Sequence, residues 1–155
     1  MKVAVACDHA GFPLKDTVMD AIRKAGHEVI DLGTNSTAPV DYPDIAEKLG
    51  RAIHRGEADR GVVICGSGVG AAVAANKMVG VRAGLCHDTY SARQCVEHDD
   101  VNVLSLGGRV IGPEVAVEVV HAFLAAKFTG EERHVRRLNK ILAIERSEAS
   151  RKQGA

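Results

Sequence analysis

The 155-residue chain has no net charge, because 20 lysines and arginines balance 20 aspartates and glutamates. Without an overall positive field it lacks the usual footprint of polyanion capture, which argues against a nucleic-acid or membrane-surface role. No apolar run approaches the ~20 residues needed to cross a bilayer. The opening stretch Met1-Lys2-Val3-Ala4-Val5-Ala6-Cys7-Asp8 is too short in its apolar part to read as an export signal. The four cysteines, Cys7, Cys65, Cys86 and Cys95, include no C-x-x-C pair and no framework spacing. Reduced thiols in a cytoplasmic protein are therefore the expectation. There is no repeat, low-complexity tract or interdomain linker. What remains is an ordinary globular composition, long enough for one domain with a real core. We assign that domain to residues 1–149 and a flexible tail to 150–155.

Apolar, β-branched runs alternate with helical patterns. Strands are expected near Val3–Cys7, Glu28–Leu32, Val62–Cys65, Val81–Cys86 and Val101–Leu106. Helices are expected near Pro13–Ala25, Tyr42–Arg55, Gly70–Met78, Thr89–Glu97, Pro113–Lys127 and Glu131–Ser147. Pro13 and Pro113 suit a first helical turn, and Gly26 and Gly56 suit helix stops. The alternation predicts an α/β domain, a five-stranded parallel sheet with helices on both faces. Ligands bind such sheets outside the carboxyl ends of the strands. Those ends are Cys7-Asp8-His9, Gly33-Thr34-Asn35, Cys65-Gly66-Ser67, Cys86-His87-Asp88 and Gly107-Gly108-Arg109. Polar and reactive side chains concentrate there.

Gly61 to Lys77 carries the densest signal. A β-branched run enters Cys65, the glycine-spaced turn Gly66-Ser67-Gly68-Val69-Gly70 follows, and an Ala-rich helix begins. A thiol, a hydroxyl and several backbone N–H groups thus meet where a helix start favours negative charge. Cys65 reads either as a nucleophile or proton-transfer base, or as a small buried strand-end residue like Cys7 and Cys86. The strand-end cysteines with His9 or His87 admit a zinc reading, but the short local ligand spacing of zinc sites is missing. Gly66 to Ala71 also fits G-x-G-x-x-A with Asp88 about 20 residues on, a dinucleotide fingerprint. Only a short stretch follows Asp88, which leaves little room for a catalytic domain. His98 follows a short helix and precedes Asp99 and Asp100, so it reads as an acid–base group or as a cation at a helix end. Arg133, Arg137 and Lys140 share a face of the last helix, opposite Val135, Leu138, Ile141 and Leu142. That basic face is a solvated surface or a phosphate clamp that reaches a neighbouring subunit.

Six ordered segments together carry a resemblance. They are Cys7-Asp8-His9-Ala10-Gly11-Phe12; Asp41-Tyr42-Pro43; Ile64 to Gly70 with Ala74-Ala75-Asn76-Lys77; Val81-Arg82-Ala83; Asn102-Val103-Leu104 with Gly108 to Gly112; and Glu132-Arg133-His134. In these the chain resembles the ribose-5-phosphate isomerase type B family, with its related galactose- and allose-phosphate isomerases, over nearly its whole length. The resemblance implies a Rossmann-like three-layer fold, no metal or organic cofactor, a sugar-phosphate substrate, and a homodimer or homotetramer with sites at the subunit interface. It implies Cys65 as the base that shuttles a proton between carbon-1 and carbon-2 through a cis-enediolate. Ser67 and the N–H groups of Gly66, Gly68 and Gly70 would stabilise the enediolate oxygen. His98 would open the furanose ring, and Asp8 and Tyr42 would bind the sugar. His9, Arg109, Arg133 and Arg137 would hold the phosphate, the last two from the partner chain. One position departs from the family pattern: Asp99 stands where Asn is common. An ionised Asp cannot donate a hydrogen bond to an enediolate, so either its backbone N–H does so or the substrate has four or six carbons.

Overall fold

The computed structural model describes residues 1–151. Five strands form one parallel sheet: β1 (Lys2–Cys7), β2 (Glu28–Asp31), β3 (Arg60–Cys65), β4 (Ala83–Leu85) and β5 (Val103–Gly107). Their order is β2-β1-β3-β5-β4. The helices are α1 (Phe12–Lys24), α2 (Tyr42–His54), α3 (Val69–Ala75), α4 (Thr89–Asp99), α5 (Pro113–Ala125) and α6 (Glu132–Arg151). The expected α/β architecture is what forms.

The central strands explain the layering. Val62 and Ile64 of β3 face a cluster built with Val18, Ile22, Val119 and Phe123 from α1 and α5. Val63 and Cys65 face the opposite cluster, with Leu49 from α2 and Ala71 and Ala75 from α3. A strand buried on both sides must be apolar along its length rather than alternating, as Val62 to Cys65 is. Prolines 13, 43 and 113 sit in the first turns of α1, α2 and α5, where a missing N–H costs nothing. Gly26 and Gly56 follow α1 and α2 with φ of +84° and +67°, the left-handed backbone of a helix stop.

Several element ends differ from expectation, three of them for a reason that named residues show. Helix α3 stops at Ala75, because the Asn76 side chain leaves the helix for the sheet edge. It donates to the Ala83 carbonyl at 2.9 Å and accepts the Ala83 N–H at 2.8 Å. Strand β4 is correspondingly short, since Arg82 N–H is taken by the Asn102 side chain at 2.8 Å. Helix α4 includes His98 and Asp99 and ends at Asp100, whose φ of 49° turns the chain. At the other end of the chain, Ser150 and Arg151 continue α6, while residues 152–155 of the expected tail lie outside the described residues.

Candidate active site

Chain direction reverses its drift across the sheet between β1 and β3, since β1 leads outward to β2 while β3 leads to β5 and β4. The crevice outside the carboxyl ends of these two strands is the natural ligand position. Asp8 and His9 follow β1 there, and Cys65 to Gly70 follow β3. Asp8 is buried, and its Oδ1 accepts the N–H groups of Ala10 and Gly11, both at 2.9 Å. That leaves its second oxygen for another donor. His9 Nδ1 accepts the Val40 N–H at 3.2 Å, which fixes the ring beside the β2–α2 connection.

Cys65 is 4% exposed. Its Sγ accepts the Gly68 N–H at 3.1 Å, a positive bond end aimed at the sulfur. Gly68 holds φ of +79°, and a Cβ there would come within 2.9 Å of the Leu106 carbonyl carbon, so only glycine lets the turn close. Ser67 is exposed, and its Oγ accepts the Val69 N–H at 3.2 Å. Two N–H groups of the turn are therefore engaged by the chemical side chains themselves. Tyr42 lies against Gly70, where an added Cβ would sit 2.7 Å from the ring. The exposed Arg109 crosses the Gly66 turn, its Nη1 3.7 Å from where a Gly66 side chain would begin. Asp8, His9, Tyr42, Cys65, Ser67 and Arg109 thus converge at one edge of the sheet.

The other cysteines are differently placed. Cys7 Sγ is buried beside the Thr34 carbonyl at 3.8 Å, and burial pushes its thiol up to about 11. Cys86 and Cys95 face each other at 3.9 Å behind β4. Among the described residues, no three His, Cys, Asp or Glu side chains gather as a metal cage. Asp88, the acidic partner in the dinucleotide reading, instead caps α4 by accepting the Ser91 N–H at 2.7 Å.

The remaining candidates stand at the opposite edge. A helix that follows a parallel strand runs back along the sheet, so α4 starts at the carboxyl edge and finishes at the amino edge. Asp100, just past it, pairs with Arg82 at 2.8 Å immediately before β4. Eleven residues at 1.5 Å rise separate the ends of α4 by about 16 Å. His98 and Asp99, both half-buried, therefore lie far from Cys65 of their own chain. Arg133 and Arg137 are exposed on α6, whose first turn packs on the end of α4 through a His98–His134 stack. Sequence reasoning assigned His134 no role, although its place between Arg133 and Arg137 marked it.

Helix α6 is 20 residues long, yet His134 is its single buried residue among those described. Its expected apolar face is half open: Leu138 and Leu142 are half-buried, while Val135 and Ile141 are exposed, as is Ile144 one turn on from Ile141, at 64%.

Comparison with known proteins identifies the family. A model of the family described as Ribose/Galactose Isomerase matches residues 3–141. Ribose-5-phosphate isomerase B of Escherichia coli is 46% identical over 144 residues, 93% of this chain and 96% of the relative. D-erythrulose-4-phosphate isomerase of Pectobacterium atrosepticum is 42% identical over 132 residues, 84% of this chain and 86% of the relative. The structure of Clostridium thermocellum ribose-5-phosphate isomerase B superposes with a TM-score of 0.92 at 46% identity, covering 96% of this chain and 99% of that one. With sequence, fold and length in agreement, the chain belongs to the ribose/galactose isomerase family and is an aldose–ketose isomerase.

Proposed function

We propose that the chain interconverts ribose 5-phosphate and ribulose 5-phosphate without a cofactor, at sites that each draw on two copies of the chain. The carrying observation is the division of the candidate residues between opposite edges of the sheet. Neither half suffices alone. The carboxyl-edge half holds a base and a hydroxyl, and the amino-edge half holds a second histidine and two arginines. A two-fold dimer that sets the amino edge of one copy against the carboxyl edge of the other completes two equal sites. The open apolar stripe on α6 supports such an interface, because a lone 20-residue helix gains little from solvent. Assembly beyond the dimer, to a tetramer, is compatible with it.

In this reading His98 of the second copy opens the furanose. The bond from carbon-1 to the ring oxygen breaks, that oxygen gains a proton, and the anomeric hydroxyl loses one. Cys65, as thiolate, then takes the proton from carbon-2 and returns it to carbon-1, while a hydroxyl proton moves between the two oxygens. Ser67 and the turn from Gly66 to Gly70 face the negative charge that develops between these steps. Asp8 and Tyr42 receive the sugar hydroxyls. His9 and Arg109 with Arg133 and Arg137 of the second copy hold the phosphate, arginine forks being suited to its oxygens. Asp99, beside His98 in the last turn of α4, belongs to the amino-edge half of the site. Four free cysteines fit a reducing cytoplasm. Among the described residues no helix is long and apolar enough to cross a membrane.

A second reading keeps the chemistry and changes the sugar. The relative named for D-erythrulose 4-phosphate and the carboxylate at Asp99 favour it. A panel of phosphorylated aldoses and ketoses with four, five and six carbons, followed by proton exchange at carbon-2, separates the two. The five-carbon pair should react fastest. A four- or six-carbon substrate ahead by tenfold in kcat/KM replaces the proposal.

A further inference from the structure

His134 is 1% exposed and is the one buried residue of α6. Its ring stacks on that of His98, with centroids 4.0 Å apart and planes inclined by 25°. Its Nδ1 meets Thr129 Oγ1 at 2.7 Å, and the same Oγ1 accepts the Glu131 N–H at 3.3 Å. Its Nε2 is buried without a partner. The Thr129 N–H donates to the Glu97 carbonyl at 3.0 Å, which ties the approach to α6 onto the last turn of α4. On the other ring, His98 Nδ1 meets Gln94 Nε2 at 2.9 Å, so His98 keeps one nitrogen outside this network.

An orphaned buried nitrogen calls for an explanation. A doubly protonated ring at position 134 would carry two N–H groups and find one acceptor. Burial first, and then the facing His98 ring, hold its pKa below the ordinary histidine value. Arg133 and Arg137 on α6 act in the same direction, and Glu131 opposes them. A neutral, flat, fixed ring is what a working imidazole needs as a neighbour. It offers a π face to the imidazolium formed during proton transfer, and it adds no second cation 4.0 Å away.

We propose that His134 is a positioning residue for His98, fixing the plane of that ring through the stack and its own bond to Thr129. The proposal rests on the ring-opening role of His98, and the test separates the two. Ribose 5-phosphate reaches the enzyme as a furanose, whereas ribulose 5-phosphate has its carbon-5 oxygen blocked and stays open. Turnover of the aldose therefore needs ring opening, and exchange of the carbon-1 proton of the ketose in deuterium oxide does not.

Both reactions are measured for His98→Asn, His134→Ala, His134→Phe and Thr129→Val, with circular dichroism to confirm folding. His134→Ala should lower aldose turnover at least about tenfold and leave ketose exchange within about threefold. His134→Phe restores a neutral flat ring and should recover most of the loss. Thr129→Val, which removes the hydroxyl on Nδ1, should show the same selective loss in milder form, and it decides the matter if His134→Ala does not fold. Equal loss of both reactions, or a Phe variant no better than Ala, overturns the positioning role. If His98→Asn itself spares the aldose reaction, the ring-opening reading falls and takes this proposal with it. If His98→Asn is selective while the His134 and Thr129 variants are not, only the present inference falls.

Discussion

At the scale of single residues, Cys7 and Cys65 show how one side chain type is given two fates. Both end central strands and both are buried. Cys65 receives the Gly68 N–H on its sulfur, while Cys7 lies in a desolvated niche beside Thr34. Cys65→Ala should lower turnover by orders of magnitude and leave substrate binding within about tenfold, because a proton-transfer base acts mainly in the transition state. Isothermal titration beside steady-state rates checks the split, and Cys7→Ala should do far less to either. Cys7 makes a separate prediction. Its folded thiol is pushed up by burial to about 11, while the unfolded thiol titrates near the ordinary value of about 8.5. Between those values the folded state holds the proton that the unfolded state has lost, so stability falls as pH rises. The urea midpoint should drop across this alkaline window in the native chain and drop less in Cys7→Ala. At the position that departs from the family pattern, Asp99→Asn should leave the ratio of activities among sugar lengths nearly unchanged if its side chain does not face the substrate. A strong gain for the five-carbon pair alone would assign the chain a different native sugar.

At the scale of elements, the turn after β3 is the most constrained piece of the molecule. Gly68→Ala forces a side chain into left-handed backbone and against the end of β5. The cost should reach about 2 kcal/mol or more, read from denaturant unfolding, and catalysis should fall with it. Helix α6 is the opposite case. Arg137→Ala should hardly touch stability, and should raise KM for phosphorylated substrate about tenfold to a hundredfold as a charge-assisted contact is lost. The sequence made these elements legible unequally. Val62 to Cys65 could only be an internal parallel strand, and Pro13 and Pro113 marked helix starts by their missing donors. The end of α3 was misjudged because Asn76 pairs with Ala83, seven residues on, and nothing in the Ala-rich run announces that bond. His98 was legible as a group at a helix end, but not the edge of the sheet that it reaches. The eleven residues of α4 already contained the answer, since a return helix of that length must deliver its last turn to the far edge.

At the scale of the whole molecule, two half-sites on opposite edges make assembly a condition of activity. Cys65→Ala and His98→Asn chains, each inactive, should recover activity when mixed and allowed to exchange subunits. In each mixed dimer one site keeps both native residues, so an equal mixture approaches about a quarter of native activity. No recovery after demonstrated exchange would place both residues in one chain's site. Replacing Ile141 and Ile144 with Glu should shift sedimentation toward the monomer and abolish turnover while far-ultraviolet dichroism stays native.

The same division assigns the two halves of the site to regions of very different permanence. Cys65 ends β3, a strand flanked on both sides by others and sealed above and below by helices. Its amides should be among the last to exchange with deuterium. Arg133 and Arg137 ride a helix held to its own chain by one buried side chain, His134, and by the Glu145 carboxylate, which accepts the Gly80 N–H at 2.9 Å. That helix should exchange early and peel away well before the sheet melts. Warming should therefore silence the enzyme at a temperature where its core is intact, and cooling should restore it, provided that the detached helices find each other again.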